Sequence, residues 1–328
     1  MNRILITGAS GFVGGAAFHS FRRGGWDVVG IGRRPLADPD YLQVDLTQAS
    51  CKDSIRRLGT FDVVLHCAAR SSPWGSAKTF ETANVQATRH IMAAASSAGQ
   101  PKLIFVSSSS VYYREQDQLG INESTPQAHP AINLYAASKQ RAEEHVRTYD
   151  GPWAILRPRA VYGRGDFVLF PRILAAARAE RLPILYRSGA PAVGDLLSIG
   201  NLVDCFIQTA SHDRIQGEFN LTDNQSVEII PFLLGIFDRL KIPEPRRRVS
   251  VKAAFRAAWL IEKFFALCLP WKEPPITRFG VHVFAFSKTF NVQKMVDTLG
   301  PPRQTVEAAV DEFIDWVQTD APYGKQAR

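Results

Sequence analysis

Cysteine is scarce in this chain. Cys51, Cys67, Cys205 and Cys268 stand alone among 328 residues, which leaves neither a disulfide framework nor a cysteine zinc cluster to build. The 7 histidines show no ligand spacing either, so no metal is expected. Charge is not concentrated: a net +8 arises from 39 basic against 31 acidic residues scattered along the chain, and Arg246 to Arg248 is the longest basic run. That scatter argues against nucleic acid as a partner and suits an anionic small molecule or a membrane surface equally. No charge-free apolar run reaches the length of a membrane span. The opening MNRILITGAS leads into a strand pattern and a glycine loop rather than a signal peptide, so a reducing cytoplasm is the expected location. Hydrophobic residues at 45% and charged ones at 21% describe a globular chain with ample core.

What is present concentrates near the start. RILIT, residues 3–7, is an apolar run of strand length, and GASGFVGG follows at once. Gly8, Gly11 and Gly14 recur every three residues, and the segment after them has helical periodicity ending at glycines. Such a loop lets backbone approach a pyrophosphate and offers it the free N–H groups of a helix start. Ser10, Phe12 and Val13 complete this candidate phosphate site. A second strand, WDVVGIG at 26–32, commonly ends at an acid that holds the adenosine ribose, yet Arg33 and Arg34 stand there. Two guanidiniums welcome a 2′-phosphate through bidentate bonds. NADP(H) is therefore favoured, with NAD(H) left open.

Alternation continues through YLQVDL (41–46), FDVVLHCAAR (61–70), a helical pattern over 79–99 and KLIFVSSSSVYY from Lys102. This predicts an α/β chain with a doubly wound parallel sheet, the Rossmann fold. Ligands of such sheets sit outside the carboxyl ends of the strands, where the serines at 107–110 fall. Tyr135 and Lys139, four apart in NLYAASKQRAEEH, share one helical face.

The ordered set TGASGFVGG, VDL (44–46), HCAA (66–69), NVQAT (84–88), YAASK, LRPRAVYGRGD (156–166) and FNLTD (219–223) resembles the extended short-chain dehydrogenase/reductase family. The resemblance implies an NAD(P)-dependent enzyme in which Tyr135 passes a proton to or from a substrate oxygen. Lys139 would lower the tyrosine pKa, ordinarily near ~10, and grip the nicotinamide ribose. Ser108, three residues before Val111, would hydrogen-bond the developing oxyanion. Asn84 matches the family's asparagine beside the cofactor. Asp45 and Leu46 would flank adenine, Cys67, Ala68, Ala69 and Arg70 the ribose and phosphates, and Pro158 to Val161 the nicotinamide. The implied division is a dinucleotide domain over 1–162, rejoined by 193–222, with a substrate or lid region over 163–192 and 223–328.

Substrate class is read from looser features. Sugar-nucleotide members commonly carry Arg before the returning strand, and Gly194 stands there; SSSSVY also lacks the acid pair of the dehydratases. GD with LFPRIL (165–174), Asn201, EPPITRFGV (273–281) and LGPPRQTVEAAVDEFIDW resemble the 3β-hydroxysteroid dehydrogenase and 3-oxo-acid reductase branch. A lipophilic alcohol or ketone is the expected substrate, with a sugar-nucleotide epimerase or reductase as the alternative and a non-catalytic dinucleotide sensor as a third. In 251–271, Lys252, Arg256 and Lys263 fall within about 40° on a helical wheel amid Trp, Phe, Leu and Ala. That pattern suits a helix on a membrane surface, a lid in which Trp259, Phe264 and Phe265 face the cleft, or core packing. A homodimer is left open.

Overall fold

The computed structural model describes residues 2–167 and 169–319; Val168 and residues 320–328, which fall in the expected lid region, lie outside them. Seven parallel strands form the main sheet in the order Gly217–Leu221, Trp153–Pro158, Lys102–Val106, Val63–His66, Arg3–Thr7, Asp27–Gly32 and Tyr41–Gln43. The strand order reverses direction at Arg3–Thr7, which lies between Val63–His66 and Asp27–Gly32. The central strands read as continuous apolar runs because helices cover both faces: every residue of Val63–His66 and Lys102–Val106 is buried. Phe18, Phe21, Leu202 and Phe206 pack one face, and Ile91, Ala94, Ala142 and Val146 the other. Each large side chain so buried contributes roughly 1.5–3 kcal/mol. The doubly wound α/β sheet is as the sequence predicts.

The second half differs from the expected division at three points. Val193–Asp195 does not rejoin the main sheet; it pairs with Ser226–Glu228 and Lys288–Phe290 in a four-stranded sheet that also takes Gln118–Ile121. The return to the main core begins with the helix Ile199–Ser211 and ends in Gly217–Leu221. Phe290, Val292, Met295 and Leu299, expected in the lid, pack into the dinucleotide core instead. A third cluster joins the helices Phe170–Arg178, Ile229–Arg239 and Val306–Thr319 around Phe170, Phe237 and Phe313.

The helix Val251–Cys268 buries only Ala254 and Ala258 fully, against Val281 and Ala285. Its large side chains face outward: Leu260 is 61% exposed, Leu267 85% and nearby Trp271 80%. The basic residues Lys252, Arg256 and Lys263 lie on this same outer surface. Trp259 and Phe264, expected to supply a cleft with apolar area, are exposed, and Phe265, its ring 5.9 Å from that of Phe264, is half-buried. The two alanines put the backbone against the protein and turn the bulk away. No helix among the described residues is long and apolar enough to cross a membrane.

Candidate active site

The glycine loop is built by close approach. Gly8 has φ +71°, and a Cβ there would meet the Ala68 backbone nitrogen at 2.9 Å. A Cβ on Gly14 would lie 2.3 Å from the Gly8 carbonyl oxygen, and backbone cannot step aside. Gly11 caps the helix Phe12–Arg23 without any side-chain bond, so the first-turn N–H groups at Phe12 and Val13 are offered to an anion. Those features fit a dinucleotide pyrophosphate. Arg34 is folded back onto the loop: it donates to the Ser10 carbonyl and its guanidinium lies 5.2 Å from the Phe167 ring. Arg33 is exposed, with no side-chain partner among the described residues, while its carbonyl accepts from Gln43 at 2.9 Å. The Asp45 Oδ1 accepts from the Thr47 backbone and hydroxyl at 3.0 and 2.8 Å, and Leu46 is buried beside it.

Opposite the glycine loop, a buried relay fixes residues 67–70. The Ala68 N–H donates to Thr7 Oγ1 at 3.0 Å, Thr7 contacts His66 Nδ1 at 2.7 Å, and His66 Nε2 meets Thr88 Oγ1 at 3.0 Å. Thr88 in turn donates to the Asn84 carbonyl at 2.6 Å. With Thr88 and Thr7 both donating onward, this assigns the proton to Nε2; burial, helped by Lys139, pushes His66 down to about 3 and keeps it neutral. Asn84 lies in a π-helical turn, Glu81–Gln86. Its Oδ1 accepts from Arg70 N at 2.7 Å, and its Nδ2 donates to the Arg70 carbonyl and to Ser138 Oγ at 3.2 and 2.8 Å. Asn84 thus ties the 67–70 loop to the helix that carries Tyr135. Burial pushes the Cys67 thiol up to about 12. The relay through Thr7, His66 and Thr88 is not legible from residue spacing, although HCAA marks its centre.

Asn133 caps the helix Leu134–Val146 by accepting from Ala136 N at 2.8 Å. Tyr135 therefore stands in the first turn and Lys139 one turn on. The four serines separate cleanly. Ser107 donates to Glu143 at 2.5 Å and Ser109 pairs with the Tyr113 hydroxyl at 2.9 Å, both buried. Ser110 is buried, and Ser108, half-buried, contacts it at 2.9 Å. Of the four, Ser108 is the serine whose hydroxyl acts on the Tyr135 phenol, drawing its pKa down against burial.

The tyrosine differs from expectation. Burial pushes the Tyr135 phenol up to about 12, the Ser108 hydroxyl pulling the other way and Tyr113 adding to the rise. The Lys139 Nζ donates to the Val106 carbonyl at 2.7 Å and lies 4.7 Å from the Phe105 ring. Burial lowers Lys139 to about 8, against the upward pull of Cys67 and Glu143. Tyr135 is thus a protonated acid at neutral pH. Pro158 ends its strand paired with Leu221, and Val161 pairs with Leu197 in a short two-stranded ladder.

Beside Pro158–Val161 opens a cavity of about 50 Å³ with apolar walls from Phe170, Ile173, Val227, Ile229 and Phe232. None of its lining comes from 251–271, so that segment is not the wall of this cleft. No group of acids, cysteines and histidines fit to hold a metal occurs among the described residues.

Comparison with known proteins agrees with this geometry. The NAD dependent epimerase/dehydratase family matches residues 4–222. A 2-alkyl-3-oxoalkanoate reductase of Shewanella oneidensis is 26% identical, covering 92% of this chain and 82% of that protein. A 3-beta-hydroxysteroid dehydrogenase of Mycolicibacterium neoaurum is 25% identical over 96% of this chain and 91% of its own. Among solved structures, a UDP-glucose 4-epimerase of Thermus thermophilus in complex with NAD shares the fold with a TM-score of 0.75 at 17% identity, covering 97% of this chain and 100% of that one. The chain belongs to the NAD dependent epimerase/dehydratase family and is an oxidoreductase of it.

Proposed function

We propose that the protein interconverts a secondary alcohol and a ketone on a lipophilic substrate, with NADP(H) preferred over NAD(H). The observation that carries this reading is the apolar cavity beside Pro158–Val161: its walls offer hydrocarbon contact. The bound nicotinamide would supply or accept the hydride. Tyr135 donates its proton to the substrate oxygen as the ketone is reduced, Ser108 hydrogen-bonds that oxygen, and Lys139 holds the ribose beside it. Water is excluded by Phe80, whose ring lies 6.4 Å from that of Tyr135. Two relatives named for 3-oxo-acid and 3β-hydroxysteroid chemistry support the substrate class.

On the cofactor, Arg33 is the cation free to take a 2′-phosphate, whereas Arg34 clamps the loop. NADPH should bind at least tenfold tighter than NADH, on the order of 1.4 kcal/mol, and Arg33→Asp should reverse the order. Cofactor titration by fluorescence, followed by a ketone panel of rising chain length read at the NADPH absorbance, tests both halves. Equal cofactor affinities sink the first; turnover confined to sugar nucleotides sinks the second.

The surface of 251–271 is proposed to rest on an anionic lipid surface. Trp259, Leu260, Phe264, Leu267 and Trp271 are exposed together, with Lys252, Arg256 and Lys263 among them, the composition of an interfacial helix. Sedimentation with phosphatidylglycerol vesicles should carry down the wild type. Trp259→Ser with Leu267→Ser should weaken that several-fold; co-sedimentation indifferent to lipid charge, or a dimer that buries this face, would overturn it.

A further inference from the structure

Next to the proposed reaction centre lies a buried guanidinium that no hydrogen bond meets among the described residues. Arg159 follows Pro158 and is only 5% exposed. Its guanidinium makes no hydrogen bond or ion pair among the described residues, and Nε is enclosed with no partner. What it does touch is the Tyr113 ring, 5.4 Å from the guanidinium carbon. Asp195, a buried carboxylate near it, is engaged elsewhere: one oxygen accepts from the Ser226 hydroxyl, the other from Phe290 N at 2.7 Å. Lys288 is fully buried nearby and donates to the carbonyls of Gln116 and Arg114. His282, stacked 5.7 Å from Tyr113, has both ring nitrogens unpartnered. A buried guanidinium is tolerated when an anion and hydrogen bonds meet it. Here the protein supplies the charge of Asp195 without contact, and no hydrogen bond among the described residues.

The space in front of this guanidinium is the apolar cavity itself, for Arg159, Ala160 and Gly194 line one end of it. A Cβ on Gly194 would already lie 3.5 Å from Arg159 Nη2, so any longer side chain there would fill the gap. The absent side chain leaves the cation open to the cavity. A planar five-donor fork at the end of an apolar pocket suits a carboxylate on a hydrocarbon, held by paired charge-assisted bonds.

We propose that Arg159 anchors the carboxylate of an amphiphilic substrate whose alkyl part occupies the cavity walled by Ile173, Val227, Ile229 and Phe232. The assignment rests on the alcohol–ketone reading above and narrows it from lipophilic compounds to lipophilic acids. Arg159 acts in binding and selection, not in proton transfer.

The test uses the full chain with NADPH, 2-octanone as an uncharged ketone, and octanoate and methyl octanoate as competitors. Octanoate should inhibit at least tenfold more strongly than its methyl ester. Arg159→Met should raise the octanoate inhibition constant tenfold or more and move that of the ester less than about twofold. Arg159→Lys should retain part of the preference. Thermal melting of the Met variant beside the wild type checks that the fold is kept. Equal inhibition by acid and ester in the wild type, or an equal loss of both in the Met variant, overturns the anchor while ketone reduction stands. If 2-octanone is not reduced, the parent reading falls on its own. Octanoate and ester binding followed by tryptophan fluorescence then decides Arg159 by the same ratio.

Discussion

Tyr135→Phe is expected to lower turnover by about two to four orders of magnitude, the usual range for general acid–base help, while cofactor affinity changes little. The ring and its contact with Phe80 survive the change; what goes is the phenolic proton. With its phenol pushed up to about 12, Tyr135 is protonated throughout the neutral range, the form that the proposed ketone reduction requires. The base side of the pH profile then belongs to Lys139. Burial lowers that lysine to about 8, so the ammonium form dominates below that pH and is lost as pH rises through it. Since kcat/KM reports groups of the free enzyme, kcat/KM for the cofactor should decline above about pH 8, and Lys139→Met should flatten the decline at a reduced level. Near-normal turnover in the Phe variant would remove Tyr135 from its role. A profile flat to pH 10 would remove Lys139.

How far the sequence discloses this site depends on whether the chemistry is local. The glycine loop is legible because turn, close approach and helix start occur within a few residues, and the central strands because both faces are covered. Choosing Ser108 among four serines needed a family likeness, since spacing alone does not say which hydroxyl turns inward. The boundaries of the second half were not legible: Val193–Asp195 pairs with Lys288–Phe290, a partner almost a hundred residues away, and no periodicity encodes that pairing. The helix Val251–Cys268 shows an amphipathic composition, but Ala254 and Ala258 take the buried face, so the larger residues face out. Arg159 is hidden for a related reason. In the sequence it is an unremarkable cation between Pro158 and Ala160; only the three-dimensional surroundings show it buried with no hydrogen bond to meet it.

Glu143 is the sharpest case of a residue that looks like helix surface and is not, and it carries the largest stability effect expected. It lies one turn beyond Lys139 and is fully buried. Arg157, also buried, meets it through Nε at 2.9 Å and Nη2 at 2.6 Å, and Ser107 donates to the same carboxylate at 2.5 Å. Gln127 and Arg147 add bonds at 2.6 and 2.9 Å, and Glu218 takes a further bond from Arg157 at 2.5 Å. Burial alone would raise the Glu143 pKa, but Arg157 outweighs it and leaves the carboxyl below the ordinary range. Its contribution is therefore present above the unfolded carboxyl pKa and lost as pH falls through the lowered folded value. Arg157→Met leaves a buried carboxylate with the half-exposed Arg147 as its main counter-charge, and should cost about 3–5 kcal/mol, a large share of the roughly 5–15 kcal/mol that holds a domain together. Turnover should fall too, since Ser107, fixed by Glu143, precedes Ser108. Adding Glu143→Leu to that variant removes the stranded charge and should recover part of the loss. Urea unfolding of the two single variants and the double one measures this cycle. A single-variant loss below about 1 kcal/mol, or a double variant as unstable as the two losses added together, would mean that the ion pair is not what joins the Tyr135 helix to the sheet.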